Sequence, residues 1–102
     1  MPLPFFDTSK VDAFAADLAA ELKRLLPPAA PMPGEKAREK LDQKIRQRVE
    51  TLSAKTRLNV YQKAKLGTRL EEALQAAGYP AAFCKTFAYE VVTMLAVASA
   101  SN

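Results

Sequence analysis

The chain has 102 residues, of which 49% are hydrophobic and 25% charged, and its 15 basic and 11 acidic residues give a formal charge of +4. This length is enough for one domain that buries an ordinary core. The chain contains no histidine and one cysteine. An internal disulfide, histidine catalysis and a histidine-containing zinc site are therefore excluded, and we predict no cofactor, no metal and no enzymatic activity.

The first helix is predicted at about residues 9–26, after a polar Asp-Thr-Ser triplet that can cap its free N–H groups. Apolar residues then recur every three or four positions, as one face of a helix requires: Val11, Phe14, Leu18, Leu22 and Leu25. Pro27 and Pro28 end the helix, because proline has no N–H and disfavours helix at the residue before it. Residues 27–34 contain four prolines and are predicted to form an extended connector.

A long helical segment is predicted at about residues 35–77. Apolar residues lie on one face of this helix both before and after a central stretch in which the pattern fails. They are Ala37, Leu41, Ile45, Val49, Leu52, Leu66, Leu70 and Leu74. Between Ser53 and Asn59 the pattern fails, because Thr56 falls on the apolar face while Leu58 falls off it. We therefore expect either a kink or break at this point, or a continuous helix whose middle faces a different partner.

The last helix is predicted at about residues 80–98. Gly78 is typical of the position just after a helix, and Pro80 is typical of the first turn of the next one. This helix is apolar nearly all round, and its strongest face consists of Phe83, Phe87, Val91, Met94 and Leu95. Such a helix must be covered on most sides, and two other helical segments are too few to do so. We therefore predict that these five residues form an interface with a second copy of the chain.

The longest apolar run, residues 87–100, has 14 residues and contains Glu90. A membrane-spanning helix needs about 20 apolar residues, so the run indicates a buried helix and we predict no membrane span. The beginning of the chain lacks the basic and apolar regions of a secretory signal. Together with the single cysteine, this favours a cytoplasmic protein.

A basic stretch raises nucleic-acid binding as an alternative. Residues 44–69 contain eight basic residues and a single acidic one, Glu50. The basic residues are Lys44, Arg46, Arg48, Lys55, Arg57, Lys63, Lys65 and Arg69. On a straight helix they flank both sides of the apolar face, which is typical of a solvated amphipathic helix, whereas a kink could bring them together on one phosphate-binding surface.

Three other features have simple structural interpretations. Cys84 is more typical of a small core residue than of a nucleophile, because the chain has no histidine to activate it. Glu90 could be functional or could pair with a basic residue across an interface, but we expect it at the solvated edge of its helix. Tyr61 and Lys65 match the Y-x-x-x-K spacing of some nicotinamide oxidoreductases, yet the glycine-rich nucleotide-binding turn is missing, so the match is a coincidence.

These observations predict an all-α fold, a small bundle of three helical segments of which the middle one is long. For function we predict a non-catalytic interaction or scaffold protein that self-associates through apolar helix faces, with a symmetric dimer as the favoured state. The alternative is a nucleic-acid-associated protein that uses residues 44–69. The two differ measurably, since nucleic-acid binding weakens steeply with salt and apolar helix packing does not.

Overall fold

Four α-helices make up the part of the chain that the computed structural model describes, which is residues 7–31 and 33–100, with side chains as far as Ala98. They are α1 (Ser9–Leu25), α2 (Glu35–Lys55), α3 (Val60–Ala76) and α4 (Ala81–Ala100). This part of the chain contains no strand, so the all-α prediction is confirmed. The predicted count of three helical segments is wrong, because residues 35–77 form two helices.

The break between α2 and α3 lies at residues 56–59. Thr56 has an extended backbone, with φ −141° and ψ 123°, and Leu58 is buried in the core. Asn59 then caps α3: its side chain accepts from the Gln62 N–H at 2.8 Å, and the Gln62 side chain accepts from the Asn59 N–H at 2.9 Å. These reciprocal bonds satisfy two N–H groups that a helix start leaves unpaired. A capping box and a buried leucine therefore favour a break over a continuous helix.

α3 ends in a glycine turn that leads into α4. Gly78 has φ +105°, a left-handed conformation that glycine adopts without steric cost. The N–H groups of Gly78 and Tyr79 donate to the carbonyls of Gln75 at 3.0 Å and Leu74 at 3.1 Å. This pair of bonds closes the end of α3 and reverses the chain, so that α4 packs beside α3.

The helices are arranged around the core in the order α1, α3, α4, α2, since α1 packs on α3, α3 on α4, and α4 on α2. α1 and α3 run in the same direction. At one end the Asp7 carbonyl accepts from the Gln62 side chain at 2.8 Å, and at the other the Leu26 carbonyl accepts from the Tyr79 hydroxyl. These two hydrogen bonds hold both ends of α1 to the ends of α3.

One core contains side chains from all four helices. Its buried members are Val11, Ala15, Leu18, Ala19, Leu22, Ile45, Val49, Leu58, Leu66, Leu70, Leu74, Tyr79, Cys84, Ala88, Val91 and Leu95. Of the 21 residues of α2, only Ile45 and Val49 are buried. α3 and α4 come close together at Gly67, where a Cβ atom would lie 3.2 Å from Val92 Cγ2. α3 therefore packs against both α1 and α4, and α2 is the outer member of the fold.

The connector between α1 and α2 turns in its first part instead of running extended. The Ala30 N–H donates to the Pro27 carbonyl at 2.9 Å, which makes a turn directly after α1. Pro28 lies close to the glycine turn that follows α3, since a Cβ at Gly78 would be 3.7 Å from Pro28 Cβ. The prolines therefore help to turn the chain at the end of the bundle where α1 and α3 both finish.

The capping box makes a testable contribution to stability. Asn59→Ala removes the oxygen that accepts from the Gln62 N–H, and we expect it to lower the free energy of unfolding by about 1 kcal/mol. Urea denaturation followed by circular dichroism measures the change. Asn59→Asp is the matched control, because it keeps an acceptor oxygen at the same place and should retain most of the stability. An equal loss of stability in both variants would show that the acceptor oxygen of residue 59 does not stabilise the start of α3.

Because the Tyr79 hydroxyl is buried, we expect the protein to lose stability at high pH. Burial raises the pKa of Tyr79 above its usual value of about 10, so the unfolded chain loses this proton first. The free energy of unfolding should therefore fall as the pH rises above about 10, because the ionised phenol cannot donate to the Leu26 carbonyl. Tyr79→Phe should lower the free energy of unfolding by about 1 kcal/mol at neutral pH. It should also reduce the dependence of that free energy on pH above about 10, which urea denaturation at several pH values measures. Tyr89→Phe, at an exposed ring, should change the free energy of unfolding at neutral pH by less than about 0.5 kcal/mol.

Candidate interaction surface

The inner side of α4 packs into the core of its own chain. Its buried residues are Cys84, Ala88, Val91 and Leu95, and its partly buried large residues are Phe83, Phe87 and Met94. The Phe83 ring stacks between those of Tyr79 and Phe87, with centroids 5.1 Å and 5.8 Å away. A row of aromatic rings therefore extends from the glycine turn along the first half of α4.

The five residues that the sequence predicts as an interface all lie on this inner side. Val91 and Leu95 are fully buried within one copy of the chain, so a partner cannot reach them in this fold. Phe83, Phe87 and Met94 are half-buried, and their contact with a second copy stays a prediction. The difference arises because the break at residues 56–59 supplies a fourth helix, which covers a side of α4 that three segments would leave open.

The opposite side of α4 is exposed. It consists of Ala82, Lys85, Thr86, Tyr89, Glu90, Thr93, Ala96 and Val97, and we call it the outer face of α4. The Tyr89 side chain is 73% exposed. Lys85 and Glu90 are the only charged residues in the sequence of this helix. The Thr93 hydroxyl donates to the Tyr89 carbonyl at 2.9 Å, which satisfies its donor within the helix. The outer face is therefore a mostly uncharged surface with an exposed tyrosine near its middle.

By length and composition alone, residues 81–98 form a helix that is apolar enough to cross a membrane. Core helices of globular proteins pass the same test, so the finding does not show a membrane span. Of these 18 residues, four are buried, five are partly buried and nine are exposed. α4 thus combines the most apolar sequence of the four helices with a large uncovered side.

Two of the eight basic residues considered for nucleic-acid binding form ion pairs with α1. Arg48 of α2 contacts Asp17 at 2.8 Å, and Arg69 of α3 contacts Asp12 at 3.1 Å. Both pairs are solvent-exposed, so each contributes at most about 1 kcal/mol to stability. Their acidic partners nevertheless reduce the positive potential that a phosphate group would meet at these two positions.

Two further basic residues of α2, Lys44 and Arg46, lie on different sides of that helix. Lys44 lines the cleft between α2 and α1, whereas Arg46 lines the cleft on the other side of the helix, between α2 and α4. On α3, the Lys65 ammonium lies 5.8 Å from the centre of the Tyr61 ring. Of the remaining three, Lys55 and Arg57 are exposed and Lys63 is partly buried. The basic residues of α2 thus stay on two sides of that helix despite the break.

Cys84 and Glu90 lie in opposite kinds of surroundings, one in the core and one at the surface. The Cys84 thiol is buried and donates to the Tyr79 carbonyl at 3.6 Å. Burial raises the pKa of this thiol, which favours its unreactive protonated form at neutral pH. Glu90 is exposed on the outer face. Within residues 7–31 and 33–100, no group of three or more His, Cys, Asp or Glu side chains is placed to hold a metal ion.

No protein-family model matches this chain, and no curated protein or solved structure shows significant similarity to it. Residue chemistry and geometry are therefore the basis for assigning a function.

The apolar pattern of α4 does not by itself separate the outer face from the inner side. Several alanines occur on both sides, so the helix looks apolar all round. The signal that distinguishes them is the position of the polar residues: Lys85, Thr86, Glu90 and Thr93 all lie on the outer side. Counting polar residues around the helix, as well as apolar ones, would have located this surface.

The two sides of α4 should respond differently to substitution. Leu95→Ala removes a buried side chain, and we expect it to lower the free energy of unfolding by about 2–5 kcal/mol. Thr86→Ala, at an exposed position of the same helix, should change the free energy by less than about 0.5 kcal/mol. Urea denaturation at low protein concentration measures both. Similar losses at the two positions would contradict the assignment of inner and outer sides.

Proposed function

We propose that this protein is a non-catalytic helical interaction protein that self-associates through the outer face of α4. The observation that carries the proposal is that α4 is the most apolar helix of the chain, yet nine of the 18 residues 81–98 are exposed in one copy. Apolar surface in contact with water is unfavourable, by about 25 cal/mol per Å², and association removes it from water. A symmetric dimer is the simplest assembly, because a second copy carries the same surface.

The charge content of the helices supports this proposal. α4 has two charged residues among 20, whereas α2, of similar length and also at the edge of the bundle, has eleven among 21. The solvated side of a helix is normally rich in charged residues. Depletion of charge and the presence of exposed tyrosine are both typical of the centre of a protein–protein interface. The uncovered side of α4 is therefore better suited to a partner than to water.

The proposal includes no catalytic activity. The chain has no histidine, and its single cysteine is buried with a pKa raised by that burial. General acid–base or nucleophilic catalysis would then require other residues with perturbed pKa values in a shared cleft. The two charged residues of the outer face, Lys85 and Glu90, are both exposed.

Nucleic-acid binding through residues 44–69 is the second candidate. The excess of basic residues in this stretch, eight against one acidic residue, is the observation in its favour. Against it, Arg48 and Arg69 are engaged with carboxylates of α1, and the basic residues of α2 lie on two sides of the helix. Phosphate binding would require several of these side chains to act on one surface.

Self-association is tested by sedimentation equilibrium of nucleic-acid-free protein over a series of concentrations, at low and high salt. We expect a dimer that dissociates on dilution and changes little with salt. Ala96→Glu adds a carboxylate to the outer face and should raise the dissociation constant at least about 10-fold, because an unpaired charge is costly to bury. Ala16→Glu makes the same change at an exposed position of α1 and should have no effect on the dissociation constant.

Other outcomes would contradict the proposal in distinct ways. A monomer at every concentration rules out self-association. A monomer that purifies with nucleic acid and releases it in high salt would identify residues 44–69 as the functional site. Partition of the wild-type chain into vesicles of neutral phosphatidylcholine would show that α4 interacts with lipid instead of a second copy. Circular dichroism of Ala96→Glu and Ala16→Glu confirms that any change in assembly is not a loss of fold.

A further inference from the structure

Five exposed residues of α4 follow the spacing of a coiled-coil contact. Ala82, Thr86, Tyr89, Thr93 and Ala96 are separated by four, three, four and three residues, and we call them the outer strip. An average spacing of 3.5 residues keeps side chains on one line along a pair of helices. Their small side chains, apart from Tyr89, would allow two helix backbones to approach closely.

The two charged residues of α4 lie on opposite sides of the outer strip. At 100° per residue, Lys85 is about 60° to one side of the centre of the strip and Glu90 about 80° to the other. Both side chains are exposed. They are five residues apart, with Lys85 nearer the start of the helix. These are the relative positions of residues that form ion pairs between the strands of a parallel two-stranded coiled coil.

We propose that two copies pair through the outer strip with their α4 helices parallel, related by a two-fold axis along the helices. This inference rests on the proposed self-association through the outer face. The two-fold axis places Lys85 of each copy beside Glu90 of the partner subunit, and it forms this contact twice. The outer strip of one copy then lies against the outer strip of the other over its whole length.

Charge complementarity selects the parallel arrangement over the antiparallel one. In an antiparallel pair the two-fold axis is perpendicular to the helices. The side of the strip that carries Lys85 then faces the same side of the partner helix, and the side that carries Glu90 does likewise. Neither charged residue then has a partner of opposite sign across the pair. In the parallel arrangement, Lys85 and Glu90 each face a residue of opposite charge, and no residues of like charge face each other.

The size of the outer strip predicts a weak dimer. The strip spans 14 residue steps, about 21 Å at 1.5 Å per residue, and is one helix wide. Such a surface is smaller than the roughly 800 Å² per partner of a standard stable interface. We therefore expect a dissociation constant in the micromolar range or weaker, so that both monomer and dimer are accessible to measurement.

Disulfide cross-linking distinguishes the two helix directions. Ala82→Cys and Ala96→Cys place thiols near the two ends of the outer strip, too far apart to react with each other. In the parallel dimer each variant should cross-link with itself on mild oxidation, and a mixture should give no 82–96 product. An antiparallel dimer centred on the strip gives the 82–96 product only in the mixture. The unmodified chain is the first control, because its Cys84 is buried, and Ala16→Cys on α1 controls for random collision.

A charge exchange provides an independent test. Lys85→Glu alone and Glu90→Lys alone each replace two attractive contacts by two repulsive ones, and we expect each to raise the dissociation constant about 10-fold. The double variant should return to within about twofold of the wild type, because the ion pairs are restored in reverse order. When the two single variants are mixed, they should form mixed dimers in preference to dimers of either one. High salt should reduce these differences.

The outcomes separate this inference from the function on which it rests. A chain that stays monomeric at all concentrations overturns both. A dimer that Ala96→Glu weakens, but that gives only the 82–96 cross-link and no rescue in the double variant, retains self-association and overturns the parallel arrangement. A dimer that is indifferent to Ala96→Glu places the interface elsewhere and overturns both the surface and the arrangement.

Discussion

The reciprocal hydrogen bonds between Asn59 and Gln62 determine where α3 begins, and the rest of the bundle depends on that point. As one helix, residues 35–77 would be about 65 Å long, whereas the longest axis of the folded chain is 44 Å. Such a helix would extend well beyond the 17 residues of α1. The break allows α3 to pack on α1 and α4 at once, with Leu66, Leu70 and Leu74 buried between them.

The same arrangement explains why α4 has two unlike sides. Each helix of a four-membered bundle faces the core with about half of its surface, and the other half remains outside. In α2 the outer half is charged, as solvation requires. In α4 the inner half contains the aromatic row and the buried Val91 and Leu95, while the outer half has one lysine and one glutamate. The outer half of α2 is therefore well solvated, whereas the outer half of α4 has few charged groups to interact with water.

Ion pairs give the basic stretch a structural role that competes with phosphate binding. Arg48 connects α2 to Asp17, and Arg69 connects α3 to Asp12, so both reach the acidic side of α1. Exposed pairs of this kind add little free energy, at most about 1 kcal/mol each. The acidic residues of α1 thus balance part of the excess that makes residues 44–69 look like a nucleic-acid site when the sequence is considered alone.

Local signals in the sequence determined the helical class, the helix end at Gly78 and the weak point near residues 53–59. These depend on near neighbours: proline lacks a donor, glycine adopts positive φ, and apolar residues repeat with the period of a helix. The choice between a kink and a break depended on two features: the capping box of Asn59 and Gln62, which is local, and the burial of Leu58, which requires the tertiary structure. What covers the inner side of α4 was decided only by the tertiary structure. The polar residues Lys85, Glu90 and Thr93 mark the outer side in the sequence, but whether the inner residues face α2 and α3 or a second copy of the chain depends on where those helices pack, which no spacing within α4 encodes.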